Sequence, residues 1–391
     1  MTDPQLTPLK VLFITHAYPD RPGSFRGRLV YRMARGLRQR GVEVHVLTPR
    51  VYDDSPLKQT DVRGVRVRRF VYPSGNRILL SFDRIPVFRM MLFFISAFLK
   101  GFGLVRRHRY HIIHGHWILP LGPVAAALGK LFHIPTVVQA HGSDVHTYAG
   151  KNRIMQKLTC FTVRRSRKVL GVSRDLSRTL QAMCKSRADH FGYHPTFIDG
   201  KLFSPGPPEE RGRMVIFAGG LLENKGILPL IEAAESFLAA APDLHLTFLG
   251  DGPLKSSIEN WIEEKGLGGR VTLAGVVPYN DMARHLRRAF VLVLPSYQEG
   301  LPSIVIEALA CGTPCIATAV GEIPNIIHQG QNGLLIAPGS PEEIAAAVMK
   351  LVRNQVLYSE MKKNCRESVK PYLMQTGIDR LLDFYKEAVR F

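Results

Sequence analysis

The chain of 391 residues contains only five cysteines and two tryptophans, and its N-terminus is not apolar. The cysteines show no spacing with histidines that is typical of a metal site. Such an odd, sparse set indicates a reducing compartment rather than a disulfide framework. The first ten residues, MTDPQLTPLK, lack the apolar core of a secretory signal. We therefore expect a cytoplasmic protein.

Acidic residues are scarce in the first half of the chain. Residues 1–205 contain 34 Lys and Arg against 11 Asp and Glu, whereas the remaining residues contain 18 against 21. The N-terminal half therefore carries the whole excess behind the net charge of +20. This bias indicates either a polyanionic partner or a solvated basic surface. Among polyanions we favour an anionic membrane over nucleic acid, because no nucleic-acid module is recognisable.

One predicted helix combines apolar and basic residues. Ten uncharged residues, MMLFFISAFL, separate Arg89 from Lys100, which is too few for a span of about 20 residues. Arg89, Ser96, Lys100 and Arg107 fall on one stripe, because their intervals are close to whole helical turns. Such a helix can lie in a membrane interface with its basic residues at the phosphates, or it can be half buried against a domain core. The sequence leaves both open.

Short β-branched runs alternate with helical patterns in two series, which predicts two doubly wound parallel-sheet domains of the α/β class. The first series comprises Val11–Ile14, Val44–Leu47, Val65–Val71, His111–His114, Thr136–Gln139 and Lys168–Gly171. The second comprises Met214–Ala218, Leu246–Leu249, Val271–Leu273, Val291–Leu294 and Pro314–Thr318. The Pro/Gly-rich segment Ser204–Gly212 interrupts the series and predicts a linker. We expect domains at 1–205 and 206–370, facing a cleft lined by the strand ends, and an amphipathic helix at 371–391.

Two glutamates seven residues apart mark the most informative segment, residues 295–324. Glu299 lies in a Gly/Pro loop after an apolar strand, and Glu307 lies in a helix predicted to begin near Pro302 and Ser303. A helix start offers free backbone N–H groups and a positive dipole end to an anion. Carboxylates accept hydrogen bonds from sugar hydroxyls, so the arrangement suits a phosphate with a polyol on each side.

This segment resembles the retaining nucleotide-sugar glycosyltransferases of family 4, which have the two-domain GT-B architecture. The resemblance rests on GLP after Glu299, on EALACGTPCIAT around Glu307 and on further motifs in the family's order. These are YPDRPGSFRGRLVYRMARGL at 18–37, HGHWILPLG at 114–122, AHGSDV at 140–145, AGGLLENKG at 218–226 and LGDGP at 249–253. In this family the C-terminal helix crosses back to the first domain.

The resemblance implies a donor site in the second domain. Lys225 would neutralise the diphosphate, Glu299 would contact the transferred sugar, and Glu307 would bind the ribose. Backbone at Val277 would read the base. Further donor-binding positions are Gly27, Gly219, Gly220, Gly300, Leu301, Ser303 and Ile304. The family has Arg where this chain has Gly220, and Arg26 and Arg28 are the candidates to replace that cation. The segment GEIPN at 321–325 departs from the family's G-G-x-P-E.

On the acceptor side, the resemblance places His141 beside the transferred sugar. Asp144 would either hold its turn or bind the acceptor, and Trp117 would pack against a sugar ring or the domain core. The family's Asn-Gly turn near the end of the domain is replaced here by Thr196 and Phe197, while Asp199 and Phe203 are kept.

The resemblance implies retaining transfer from a UDP- or GDP-sugar to a glycan or lipid-linked acceptor, in cell-envelope polysaccharide or glycolipid synthesis. His141, Lys225 and Glu299 are the catalytic candidates. No Asp-x-Asp motif occurs, and we expect neither a metal nor a cofactor. Expected partners are the donor, the acceptor and an anionic membrane surface, without nucleic acid; the protein would be cytoplasmic, or peripheral on the inner face of the cell membrane. Alternatives are a phosphorylase or sucrose-synthase-like enzyme, and a non-catalytic relative that binds a nucleotide-sugar or a protein partner.

Overall fold

The structure, a computed structural model, describes residues 8–20, 26–60, 64–77, 87–142, 144–206 and 213–389. The chain divides into two compact units, unit 1 (Met1–Pro195 with Gly377–Phe391) and unit 2 (Thr196–Thr376). Each unit is built on its own sheet with helices packed against it. The predicted fold class, two doubly wound α/β domains, is confirmed.

Unit 1 contains, in its described residues, an eight-stranded sheet in the order β3-β4-β2-β1-β5-β6-β7-β8. All neighbouring strands are parallel except the pair β3 and β4. The strands are β1 Lys10–Ile14, β2 Glu43–Pro49, β3 Lys58–Thr60, β4 Arg66–Phe70, β5 Ile112–His116, β6 Thr136–Ala140, β7 Lys168–Gly171 and β8 Phe191–Tyr193. The central strands are buried along their lengths, as expected for a parallel sheet covered on both faces.

The helices of unit 1 connect these strands. They are α1 Arg28–Gln39, α2 Val87–Arg107, α3 Gly122–Phe132, α4 Arg153–Arg165 and α5 Arg174–Cys184. Asn152 and Ser173 accept backbone N–H groups at the starts of α4 and α5, which explains where these helices begin. By length and composition α2 could cross a membrane, and 22% of its most apolar window is buried within the unit; one such helix is weak evidence for a span.

Unit 2 contains, where the structure describes it, a six-stranded parallel sheet in the order β11-β10-β9-β12-β13-β14. The strands are β9 Met214–Ala218, β10 His245–Leu249, β11 Val271–Leu273, β12 Val291–Leu294, β13 Cys315–Thr318 and β14 Gly333–Ile336. The helices are α6 Ile227–Ala240, α7 Lys255–Glu264, α8 Tyr279–Arg288, α9 Ser303–Ala310, α10 Pro341–Arg353 and α11 Gln355–Ser368. Cys311 and Cys315 are buried in its core, as small core residues would be.

The last helix, α12 Met374–Val389, spans the boundary at the C-terminal side. Its residues from Gly377 onward belong to unit 1, where Tyr385 is fully buried. Its preceding turn belongs to unit 2, because Ile198 pairs with Leu373 and its N–H donates to the Tyr372 oxygen. The C-terminal part of the chain therefore belongs to the first unit.

The division between the units precedes the expected position at 205/206. It falls after Pro195, because Ile198 and Phe203 are buried in the core of unit 2. Arg287 of α8 also donates to the backbone oxygens of Leu202 and Ser204. The Pro/Gly-rich segment therefore follows the division, and residues 207–212 of the expected linker lie outside the described residues.

Candidate active site

Lys225 and Glu299, two of the predicted donor-site residues, lie where the strand order of unit 2 reverses. The chain runs outward from β9 to β11 on one side of the sheet, and from β12 to β14 on the other. The connections that follow the adjacent strands β9 and β12 therefore lead to opposite sides of the sheet. Open α/β sheets bind ligands at such a point. The loop after β9 carries Lys225, and the loop after β12 carries Glu299.

Lys225 and Glu299 are in direct contact. The Lys225 Nζ lies 2.7 Å from the Glu299 Oε1, and the two side chains are 25% and 10% exposed. The same carboxylate oxygen accepts a hydrogen bond of 2.8 Å from the Ser296 Oγ. A lysine ammonium has three donors, so pairing with Glu299 occupies one and leaves others for a bound anion. Lys225 and Glu299 were expected from the sequence and its family resemblance, whereas Ser296 was not.

Gly226 allows the two loops to approach. Its φ is +70°, and a Cβ there would lie 2.0 Å from the Pro295 oxygen. The adjacent backbone is joined by a hydrogen bond from the Tyr297 N–H to the Asn224 oxygen. A side chain at 226 would therefore force apart the loops that carry Lys225 and Glu299.

The start of α9 is open, as the helix-end prediction requires. Ser303 is the first helical residue, and Pro302 precedes it without a side-chain cap. No acidic residue lies in the first turn. Orphan N–H groups and the positive end of the helix dipole therefore face a point next to the Glu299 loop. Gly300 is exposed there, whereas Leu301 and Ile304 pack partly against the core and hold the turn.

Glu307 is buried in α9 with only 4% of its surface exposed. Its Oε1 accepts a hydrogen bond of 3.3 Å from the hydroxyl of Tyr279, the first residue of α8. Tyr279 packs edge-on against Phe203, and half-buried Val277 lies two residues before it. Burying a carboxylate costs free energy unless it is hydrogen-bonded, and the Tyr279 hydroxyl supplies such a hydrogen bond to Glu307. Nothing in a single sequence indicated this tyrosine.

The glycine loop after β9 packs against the LGDGP turn. A Cβ at Gly250 would lie 1.9 Å from the Gly219 oxygen, and the Leu221 N–H donates to the Asp251 oxygen. A Cβ at Gly220 would meet only the Leu222 side chain, at 3.4 Å. The backbone therefore does not demand glycine at the position where the family has arginine.

Residues 321–325, where the sequence departs from the family, are held by local hydrogen bonds. Glu322 is buried, and its Oε2 accepts a hydrogen bond of 2.9 Å from the Asn325 side chain. The Glu322 N–H donates to the Gly300 oxygen. The substituted residues thus bind each other and support the loop that precedes α9.

In unit 1, His141 follows β6, and Asp144 fixes its turn. The Asp144 carboxylate accepts the backbone N–H groups of His141, Gly142 and Ile118 at 3.1, 2.9 and 2.7 Å. Burial raises the pKa of Asp144 to about 6, although these three N–H groups act in the opposite direction. Asp144 therefore holds the turn, which is one of the two roles considered for it. Burial also lowers the pKa of His141 to about 3, so its ring is neutral near pH 7.

His141 belongs to a cluster of rings at the point where the strand order of unit 1 reverses, between β1 and β5. Trp117 lies between His16 and His141, with ring centroids 4.4 and 4.3 Å away. Behind them His116 stacks on His114 at 4.2 Å. Burial lowers the pKa of His16 to about 3. His16 was not predicted from the sequence, although its position two residues after β1, comparable to that of His141 after β6, was a usable signal.

The remaining predicted residues of unit 1 lie after β1. Gly27 has a φ of +67°, and a Cβ there would lie 2.2 Å from the Ala17 oxygen. Arg26, one candidate for the missing cation, forms a 3.2 Å ion pair with Asp20 and donates to the His16 oxygen. Arg28 is the first residue of α1. Within the described ranges, no group of three His, Cys, Asp or Glu side chains is arranged to hold a metal ion.

Two doubly wound units with charged groups at the reversal of strand order define the class of GT-B folds. Comparisons with known proteins agree. The family model "Glycosyl transferases group 1" matches residues 200–368, and the model "Glycosyl transferase 4-like domain" matches residues 27–190. The chain belongs to this family of glycosyltransferases.

Individual relatives match over nearly the whole chain. The putative teichuronic acid biosynthesis glycosyltransferase TuaC of Bacillus subtilis is 30% identical over 387 residues, covering 92% of this chain and 94% of TuaC. Among solved structures, the sucrose-phosphate synthase of Thermosynechococcus elongatus has a TM-score of 0.74 at 21% identity, over 97% of this chain and 98% of that one. Anabaena HepE, solved in complex with UDP, has a TM-score of 0.75 at 16% identity, over 97% and 100%. At such identities these two structures support the fold alone.

Proposed function

We propose that this glycosyltransferase moves a sugar, with retention of anomeric configuration, from a UDP- or GDP-sugar to a hydroxyl group of a glycan or lipid-linked acceptor. The observation that carries the proposal is the contact between Lys225 and Glu299 beside the uncapped start of α9. It combines a cation, a carboxylate and a helix end, which are the groups that a sugar diphosphate requires.

Each group has a defined task in this proposal. The diphosphate binds the N–H groups at the start of α9 and the donors of Lys225 that Glu299 does not occupy. Glu299 uses Oε1 for Lys225 and Ser296, and its other oxygen accepts hydroxyl groups of the transferred sugar. Glu307 binds the ribose hydroxyls, and Tyr279 keeps its carboxylate in place. The backbone at Val277 contacts the base.

The reaction breaks the bond between the sugar's anomeric carbon and the diphosphate oxygen, and forms one to the acceptor oxygen on the same face. The acceptor's hydroxyl proton passes to the departing phosphate oxygen, so no protein nucleophile is needed. Lys225 and the helix dipole stabilise the charge that develops on the diphosphate. Because the chain supplies this positive potential itself, we propose that turnover needs no divalent cation and no cofactor.

The acceptor side belongs to unit 1 in this proposal. Neutral His141 can exchange hydrogen bonds with sugar hydroxyls, and Asp144 fixes its backbone. TuaC is named for teichuronic acid biosynthesis. This name supports a role in cell-envelope polysaccharide or glycolipid synthesis, which we propose to occur on the cytoplasmic side of the membrane.

The test is release of nucleoside diphosphate from a panel of UDP- and GDP-sugars, with and without a lipid extract as acceptor. We expect release from at least one donor, stimulation by acceptor, unchanged rates in EDTA, and a product whose anomeric configuration by NMR equals that of the donor. Tight donor binding without release would favour the non-catalytic alternative. An inverted product would refute retention.

A further inference from the structure

Helix α2 has one face inside unit 1 and an apolar face outside it. Phe93, Ala97, Gly101, Leu104 and Val105 are buried in the core of the unit. At 100° per residue these positions lie on one side of the helix. A Cβ at Gly101 would lie 2.6 Å from Leu128, so the helix packs closely on its neighbour α3. Since this face is fixed in a protein core, α2 lies along the unit rather than standing free.

The opposite face is apolar and exposed. Val87, Phe88 and Leu99 are 75%, 64% and 63% exposed, and Met91 and Ile95 are also exposed. Phe88, Met91, Ile95 and Leu99 follow spacings of three and four residues and form one continuous stripe. Single exposed apolar residues are ordinary, whereas a contiguous stripe marks an interaction surface.

The stripe continues into a groove beside β4. This groove has a volume of about 700 Å³, and Leu57, Val71, Leu92, Ile95 and Leu99 contribute apolar walls. Leu57 and Val71 are themselves exposed. Ser96 fixes the edge of the groove, because its Oγ donates to the Val71 oxygen at 2.6 Å. The apolar surface therefore extends from the helix onto the residues at the end of β4.

The segment that carries this apolar surface is rich in basic residues, and Lys100 lines the groove itself. Residues 56–109 contain twelve Lys and Arg against two Asp and no Glu, and α2 itself has no acidic residue. Lys100, Arg106 and Arg107 are exposed at its C-terminal half. Arg89, Ser96, Lys100 and Arg107 form a side stripe between the buried and the exposed apolar faces. Basic residues in that position can reach phosphate groups while the apolar residues lie deeper.

We propose that the exposed face of α2, with the adjoining groove, docks on the surface of an anionic lipid bilayer. The apolar stripe would enter the boundary between headgroups and acyl chains, and the basic side stripe would contact lipid phosphates. A second copy of this chain fits the charge poorly, because two strongly basic surfaces would face each other. The inference rests on the proposed function and deepens it, since docking brings the enzyme to a membrane where a lipid-linked acceptor is presented.

The test is co-sedimentation of the full chain with vesicles of phosphatidylcholine alone or with one third phosphatidylglycerol. We expect binding to the anionic vesicles, reduced as salt is raised. Phe88→Ser with Leu99→Ser should abolish it. The matched control is Ile154→Ser with Val356→Ser, at equally exposed apolar positions of α4 and α11. Thermal melts should show that both double variants fold.

A charge variant provides a second line of evidence if the apolar pair fails to fold. Lys100→Gln should weaken binding about fivefold, the effect of one basic residue near an anionic surface. Absence of wild-type binding, or equal binding by the Phe88/Leu99 variant and the control, would overturn the proposal. The proposal would also be overturned if light scattering showed a dimer for the unaltered chain and a monomer for the Phe88/Leu99 variant. A vesicle-bound fraction that alkaline carbonate does not extract would overturn it as well. Vesicle binding needs no donor, so its failure is distinguishable from failure of the transferase reaction.

Discussion

At the scale of single residues, the site depends on the partners of its charged groups. Glu299 and Glu307 could be predicted from their type and spacing, because two carboxylates around a helix end suggest a phosphate ligand with hydroxyl groups on each side, whereas Lys225 was implied by the family resemblance. Ser296 and Tyr279, which bind the two glutamates, could not. Their roles depend on loop conformation and on the packing of α8 against α9, which a single sequence does not reveal.

Ser296 offers a test of this positioning. Ser296→Ala removes the 2.8 Å hydrogen bond to the Glu299 carboxylate. A hydrogen bond to a charged group contributes about 1.5 kcal/mol or more, so we expect turnover of a nucleotide-sugar to fall about tenfold. Steady-state kinetics would measure this. The control is Ser368→Ala, whose hydroxyl donates to the Cys365 oxygen in α11, away from the site. Equal loss in both variants would contradict the positioning role.

At the scale of elements, the strands β7, β9, β11 and β12 have the predicted bounds. Three strands, β3, β8 and β14, were missed, and each lies at an edge of its sheet in the described residues. The sequence of β3, KQT, is polar and exposed, and β8 (FGY) and β14 (GLLI) contain glycine, which is depleted in strands. The start of α9 was predicted because proline and serine mark helix N-termini.

The approach of the loops after β9 and β12 depends on Gly226. In Gly226→Ala, residue 226 must adopt a positive φ, and its new Cβ would lie only 2.0 Å from the Pro295 oxygen. Gly266→Ala is the matched control, with a φ of +63° and nothing within 4 Å. The control should lower the free energy of unfolding by about 1 kcal/mol, and Gly226→Ala by clearly more. Urea unfolding would compare them, and indistinguishable midpoints would contradict the close approach.

At the scale of the whole molecule, the two-unit organisation was predictable from the rhythm of strands and helices, but its boundaries were not. The division after Pro195 is set by the burial of Ile198 and Phe203 in unit 2, which depends on tertiary packing. The uneven charge was visible in the sequence. The burial of so many histidines in unit 1 was not, because histidine is compatible with both core and surface.

These histidines should make stability depend on pH. Burial lowers the pKa of His114 and His116 well below the usual value and that of His194 to about 4. The unfolded chain therefore binds more protons below about pH 6.5, and stability falls as pH decreases. Each buried histidine should lower the free energy of unfolding by up to about 2 kcal/mol at pH 5. Asp144 has the opposite effect, because its pKa is raised to about 6 in the folded chain, so that stability rises as pH falls from about 6 to its unfolded pKa. This is one group, whereas several histidines are buried.

Urea unfolding between pH 8 and pH 5 would measure this dependence. We expect a plateau above about pH 7 and a steep loss below pH 6.5. His116→Phe should reduce the slope, whereas His245→Asn, at an exposed position of β10, should leave it unchanged. A free energy of unfolding that stays constant from pH 7 to pH 5 would contradict the neutral, buried state of these rings.

The most direct test of the central claim is turnover of a nucleotide-sugar by Lys225→Ala and Glu299→Ala. Loss of one group that stabilises developing charge typically costs about 10²–10³ in rate. We predict a loss of at least this size in both variants, with melting temperatures close to that of the unaltered chain. Turnover near the original level in both variants would contradict the assignment of the Lys225–Glu299 pair as the catalytic centre.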